Sequence, residues 1–341
     1  MPRRIGARRL RILVVTPAPP RARSGNRVTA LRWARRLREL GHRVTVDQEY
    51  RGGLPDVLVA LHARRSHPSI ARFARERPGR PLVVALTGTD LYRDLGRSRR
   101  ARRSLDLAWR LVLLQPLGID ALPARHRGKA RVIPQSATAT AGRVSPRRAR
   151  FDTCVLAHLR AVKDPLLAAR AARLLPESSS VRVLHLGAAL EPGMAARARA
   201  EERRSARYLW LGERPRGAAL RLLRRCRLLL VTSRLEGGAN VVSEALACGV
   251  PILSTRIPGS IGILGRDYPG YFPVGDARAL ADLLRRAETD RAFYRGLKRR
   301  CGKLRGLVAP SRERARWRRL LAEIRPRKRA RRAARGAMLR P

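Results

Sequence analysis

Twice along the chain, short apolar runs rich in β-forming residues alternate with amphipathic helical stretches, and no other feature restricts the fold so tightly. "LRILVVT" reads as a first strand. It is followed by "RVTALRWARRLREL", where Ala30, Trp33, Ala34, Leu37 and Leu40 share one helical face until Gly41 stops the helix. "HRVTVD" opens the next strand, and "DVLVAL", "PLVVALT", "RLVLLQ" and "RVIPQ" continue the series. After the arginine-rich stretch "ATATAGRVSPRRAR" the pattern restarts with "FDTCVLAHL", then "VRVLHLG", "RYLWLG", "RLLLVT" and "VPILST". Strands joined through helices pair in parallel, so the expected fold class is α/β, with two doubly wound, Rossmann-like domains meeting near residue 149.

The length of 341 residues and a hydrophobic content of 44% suit two domains with substantial cores. The longest apolar runs are far too short to cross a bilayer, and no charged-then-apolar leader precedes the first strand, so a cytoplasmic location and no transmembrane segment are expected. Cys154, Cys226, Cys248 and Cys301 are widely spaced, with no CxxC pair and no nearby His, and read as reduced core thiols. A formal net charge of +52 would ordinarily suggest nucleic acid. Here the excess is almost all arginine, spread along the whole chain beside abundant alanine, while lysine is confined to five positions and asparagine to Asn26 and Asn240. Such a bias reflects GC-rich codons, and aromatic residues at 4% are too sparse for base stacking, so no specific nucleic-acid partner is expected. The basic run over 326–341 reads as a disordered tail.

Ligands of such folds bind at the carboxyl ends of the parallel strands, and the unusual residues fall there. Gly25, followed by Asn26, sits in the loop after the first strand, where helix amides can face an anion. In "AHLRAVKDP", Arg160 can fork onto phosphate oxygens and Lys163 can act as a point charge; Lys163 is the more telling because lysine is rare here. "RLLLVT" runs into "SRLEGGANVVSEALACG", a loop and a helix ended by Gly249. Gly237, Gly238 and the amides of Ala239 and Asn240 form an anion cradle at the helix start. Glu236 stands before it to hold sugar hydroxyls, and Glu244 lies two turns on, within reach of a ribose diol. No DxD-like pair or other metal-ligand cluster is present, so no metal is expected.

"EGGANVVSE" resembles the E-x7-E signature of retaining family 4 glycosyltransferases, and "RAVKDP" resembles their diphosphate-binding segment. More closely, "TPAPPRARSGNRVTALRWARRLRELGHRV", "ALTGTDLYRDL", "VIPQSA", "AHLRAVKDP" and "GRDYPGYFPVGD" resemble the selenosugar synthases of selenoneine biosynthesis. The resemblance implies a GT-B fold whose two sheets face a central cleft. Residues 1–148 would form the acceptor domain, 149–310 the donor domain, and 311–325 a helix crossing back to the first. It implies a UDP-sugar donor such as UDP-N-acetylglucosamine, selenophosphate as acceptor, and no cofactor. Arg160, Lys163 and Glu236 would be catalytic, Gly25, Asn26, Gly237, Gly238, Ala239, Asn240 and Glu244 would hold the donor, and Thr87 and Asp90 would lie on the acceptor side.

Two departures stand out. Many family 4 enzymes carry Arg five residues before the Lys, where this chain has His158, and many carry His where it has Thr87. An anionic selenium nucleophile needs less help from a general base than an alcohol does, which accounts for the second. His42 and His185 read as structural, whereas His62 and His67 could line the acceptor side, and the intervening Arg64 and Arg65 read as solvated. The alternatives are a family 4 enzyme acting on an alcohol of a lipid, polysaccharide or small molecule, a GT-B epimerase, and a nucleic-acid-binding protein.

Overall fold

The central strands are buried along their whole length because helices cover both faces of each sheet. The structure, a computed structural model, describes residues 9–22, 24–139 and 150–324. The first sheet contains β1 (Arg11–Val15), β2 (Arg43–Asp47), β3 (Val57–Leu61), β4 (Leu82–Leu86), β5 (Arg110–Leu113) and β6 (Ala130–Val132), in the order β2-β1-β3-β4-β5-β6. The second contains β7 (Phe151–Leu156), β8 (Val181–Leu186), β9 (Tyr208–Trp210), β10 (Leu228–Val231), β11 (Ile252–Thr255) and β12 (Tyr271–Phe272), in the order β12-β11-β10-β7-β8-β9. All pairings between these strands are parallel. β12, only two residues long, is the strand that the apolar runs did not announce.

Strand order reverses beside β1 in the first sheet and between β7 and β10 in the second, which opens a crevice at the carboxyl ends of those strands. The helix Gly25–Glu39 follows β1 and buries Ala30, Trp33, Ala34 and Leu37 completely, the face read from the sequence; Leu40 lies just past its end, partly buried. Gly41 turns the chain away at φ +89°, a backbone region that glycine enters without a steric cost.

The last described helix, Pro310–Glu323, belongs to the core of the first domain. Trp317, Leu320, Leu321 and Ile324 join the apolar cluster of Trp33 and Leu37, and the Trp317 and Trp33 rings meet edge to face at 5.0 Å. A pair of this geometry adds about 0.5–1.5 kcal/mol beyond its buried area. Glu313 fixes the helix further: it accepts from Trp33 Nε1 at 3.0 Å, from Arg32 Nε at 3.3 Å, and from the Ser136 hydroxyl. Among the described residues no helix is long and apolar enough to cross a membrane. All four cysteines are free thiols. The segment 140–149, which holds the expected domain boundary, and the basic run 326–341 lie outside the described residues.

His185 has the structural role read for it, fully buried between Tyr208 Oη at 2.7 Å and the Ala157 carbonyl at 2.9 Å. Burial pushes its pKa from 6.5 down to about 4. Between those values the unfolded chain binds a proton that the folded one refuses, so the contribution to stability is complete above pH 6.5 and is lost as the pH falls to 4. His185→Gln is therefore expected to flatten the fall in denaturant midpoint between pH 7 and pH 5. Parallel slopes for the two proteins would assign that fall to other groups.

Candidate active site

Two loops of the second domain are stapled together before any ligand arrives. After β7 the chain makes a single turn, Ala161–Lys163, and Asp164 enters the left-handed region at φ 40°. The loop after β10 locks onto it: Thr232 Oγ1 donates to the Lys163 carbonyl at 2.8 Å, the Arg234 amide donates to Val162 O at 2.9 Å, and Arg234 reaches Asp164 at 2.9 Å. This brings Lys163 Nζ onto Glu236 Oε1, which also accepts from the Ser233 hydroxyl at 2.8 Å. Arg160 lies 3.7 Å from Glu191, close enough for attraction but too long for a hydrogen bond. Glu244, buried on the helix Asn240–Cys248, receives both Nε (3.0 Å) and Nη2 (2.7 Å) of Arg216 on its Oε1, so the pair does not occupy Oε2.

The first domain meets these loops directly. Asn240 Nδ2 donates to the Gly25 carbonyl at 3.2 Å, and Arg32 Nη1 donates to Asn240 Oδ1 at 2.7 Å while its Nε reaches Glu313. One buried guanidinium thus ties the helix after β1 to Asn240 of the second domain and to Glu313 of the last helix. Nearby, Ser24 Oγ and Arg27 Nε are buried with no hydrogen-bond partner among the described residues. Asp90 is wholly buried. Its Oδ1 accepts from the amides of Thr87 and Gly88, each at 2.9 Å, and its Oδ2 accepts from the Ala63 amide at 2.9 Å.

Between the domains lies a cleft of about 830 Å3. Of the expected residues, Gly25, Asn26, Thr87, Arg160, Lys163, Glu236, Gly238, Ala239, Asn240 and Glu244 all line it. Gly237 and Asp90 lie behind it. A Cβ on Gly237 would stand 2.5 Å from the Thr87 carbonyl oxygen, so this glycine permits close approach of the two lobes, and Asp90 shapes the Thr87–Gly88 turn from within the first domain.

His62 lines the cleft at φ 75°, with Nδ1 accepting from the Arg65 amide at 3.3 Å and Nε2 3.2 Å from Thr89 Oγ1. Burial lowers its pKa more than the nearby Asp90 raises it, which keeps the ring neutral. His158 also lines the cleft and accepts from the Ala188 amide at 3.1 Å, whereas His67 is bonded to Ser104 at 2.9 Å outside it. Arg64 pairs with Asp94 at 2.7 Å, and Arg65 stands exposed at the cleft. Arg216, Arg32 and Arg27 were missed from the sequence, since one arginine among so many carries no signal. Among the described residues no group of three or more His, Cys, Asp or Glu side chains is gathered as for a metal ion.

Two parallel-sheet domains closing on a cleft at their strand ends define the GT-B fold. Residues 145–303 match the family model described as Glycosyl transferases group 1. The solved structure of Anabaena Alr3699/HepE in complex with UDP and glucose superposes with a TM-score of 0.72 over 92% of this chain and 100% of that one, at 16% identity. Sucrose-phosphate synthase from Thermosynechococcus elongatus gives 0.72 over 93% and 99%, at 14% identity. These likenesses concern the fold. In sequence, a stretch of 92 residues, 27% of this chain, is 34% identical to N-acetyl-alpha-D-glucosaminyl L-malate synthase of Bacillus anthracis and spans 24% of that enzyme's length.

Proposed function

We propose that the protein is a glycosyltransferase that moves a sugar, N-acetylglucosamine, from its UDP ester to selenophosphate. UDP and UDP-glucose complexes among the structural neighbours, and the name of the Bacillus relative, support the donor. In this reading Glu244 holds the ribose through its uncommitted oxygen while Arg216 fixes the carboxylate. Lys163 exchanges Glu236 for a diphosphate oxygen as negative charge grows on the leaving group, and Arg160 adds a second cation. Glu236, released, turns to the sugar hydroxyls. The selenium atom attacks the anomeric carbon, the bond from that carbon to the diphosphate oxygen breaks, and UDP leaves with the electron pair. Arginine and lysine supply the positive charge, so the proposed reaction uses neither metal nor cofactor. The domain division at 148/149 and 310/311 and a cytoplasmic location belong to the same proposal.

The observation that carries the acceptor is the lack of an idle base among the described residues of the cleft. Glu236 and Glu244 are paired, Glu213 and His158 also line the cleft and are engaged by partners, Asp90 is sealed behind the wall, and His62 is a neutral imidazole bonded on both sides. An acceptor that arrives already anionic needs no such base, and Arg65 and Arg27 line its side of the cleft. Incubation with UDP-N-acetylglucosamine and fresh selenophosphate is expected to give UDP and a sugar product bearing the selenium isotope pattern by mass spectrometry. Transfer to simple alcohols with selenophosphate ignored would overturn the acceptor; absence of UDP binding would overturn the whole reading.

A further inference from the structure

At the far end of the second sheet, beneath the amino ends of the neighbouring strands β10, β7 and β8, lies a groove of about 420 Å3. Arg150 precedes β7, Arg227 precedes β10, and Arg291 and Arg295 come from the helix Arg291–Leu304 that closes the other side. These four guanidinium groups share the groove with one carboxylate, Glu288. That carboxylate is already engaged, accepting from Ser179 Oγ at 2.7 Å, the Ser180 amide at 2.6 Å and Ser180 Oγ at 2.7 Å. The nearest other acids are committed too: Asp290 caps the helix through the Ala292 and Phe293 amides, and Asp152 is bound by Arg182 at 2.8 and 3.0 Å. Arg150, Arg291 and Arg295 form no salt bridge among the described residues. Arg227 lies 5.7 Å from the centre of the Phe151 ring, and its Nε is buried with no hydrogen-bond partner.

Four like charges held in one concavity repel, and a buried donor without an acceptor is costly. A single anion in the groove relieves the repulsion. We propose that this groove is a second binding site, separate from the cleft, for a small molecule that carries a diphosphate group. Its formal charge of +3, from four arginines and one glutamate, matches the roughly three negative charges of two phosphate groups near neutral pH. The edge-to-face pair of Phe151 and Tyr294 at 5.9 Å gives the groove an apolar wall beside its cations, and arginine forks suit paired phosphate oxygens. The arginine bias of the chain supplied the residue type; the assembly of four from three segments around a hollow is a property of the fold.

Calorimetry of the full chain with inorganic pyrophosphate, at constant ionic strength, tests this without reference to catalysis. Two binding events are expected, one in the cleft and one in the groove. The double substitution Arg291→Gln/Arg295→Gln, at exposed positions, is expected to weaken the groove event by about tenfold or more while sparing the cleft event. Lys163→Ala should do the reverse, and Arg221→Ala/Arg225→Ala, an exposed pair elsewhere, should change neither. Titrating UDP into the Lys163→Ala protein distinguishes a nucleoside diphosphate from free diphosphate as the occupant. Arg227→Gln provides a second variant whose retained secondary structure can be checked by circular dichroism. The proposal is overturned if pyrophosphate affinity survives both groove variants, or if sulfate at matched ionic strength binds the groove equally well.

Discussion

Gly237→Ala is expected to lower the proposed sugar transfer on the order of 100-fold while leaving the thermal midpoint nearly unchanged. The backbone of Gly237 is not in the left-handed region, so alanine brings no local strain. What it brings is a methyl carbon 2.5 Å from the Thr87 carbonyl oxygen and 2.7 Å from the Gly88 amide, both in the opposite lobe. Ordinary contact begins near 3.4 Å, so the lobes must part by close to an ångström. Misplacement of that size costs on the order of 100-fold when groups from two bodies must act on one substrate. Gly128→Ala, with nothing within 4 Å of the added carbon, is the control. Steady-state rates beside a melting curve check the prediction; a Gly237→Ala protein with full activity would show that the lobes do not need this contact.

Lys163→Ala is expected to cut kcat by about 10²–10³-fold with a smaller change in donor KM. Among the described residues the amine is the one cation bonded to Glu236, and in the proposed reaction it serves the leaving diphosphate most as charge builds. A complication follows from that ion pair, because removing the amine leaves a half-enclosed carboxylate that repels the diphosphate in the ground state. Lys163→Ala/Glu236→Gln separates the two effects. If the rate loss came only from the bare carboxylate, the double variant would be as fast as Glu236→Gln alone; recovery of KM alone, measured against that single variant, would locate the role of the lysine in the transition state. Stopped assays over a range of UDP-sugar concentrations make the distinction.

The strands were legible because each buries an apolar run and each helix shows its stripe, as Ala30, Trp33, Ala34 and Leu37 do on one face. Two residues of β12 were too few to display any period. Within the cleft, rarity mattered more than chemistry: Lys163 stood out in a chain nearly devoid of lysine, while Arg216 and Arg32, bonded to Glu244 and Asn240, were invisible among their many equals. Residue type also left direction open. Gly237 and Asp90 sit at positions typical of ligand contacts, yet one faces the other lobe and the other faces its own loop amides. A string of residues states spacing along the chain, and it does not state which neighbour arrives first to claim a side chain.

The position of Trp317 bears on how the molecule is made. A ribosome delivers the chain from its amino end, so the first lobe emerges early but lacks the indole of Trp317 and the carboxylate of Glu313, which follows Trp33 by 280 residues and completes the lobe's interior. The lobe synthesised first is therefore the lobe finished last, and any early stop in translation leaves it with an open seam beside Trp33.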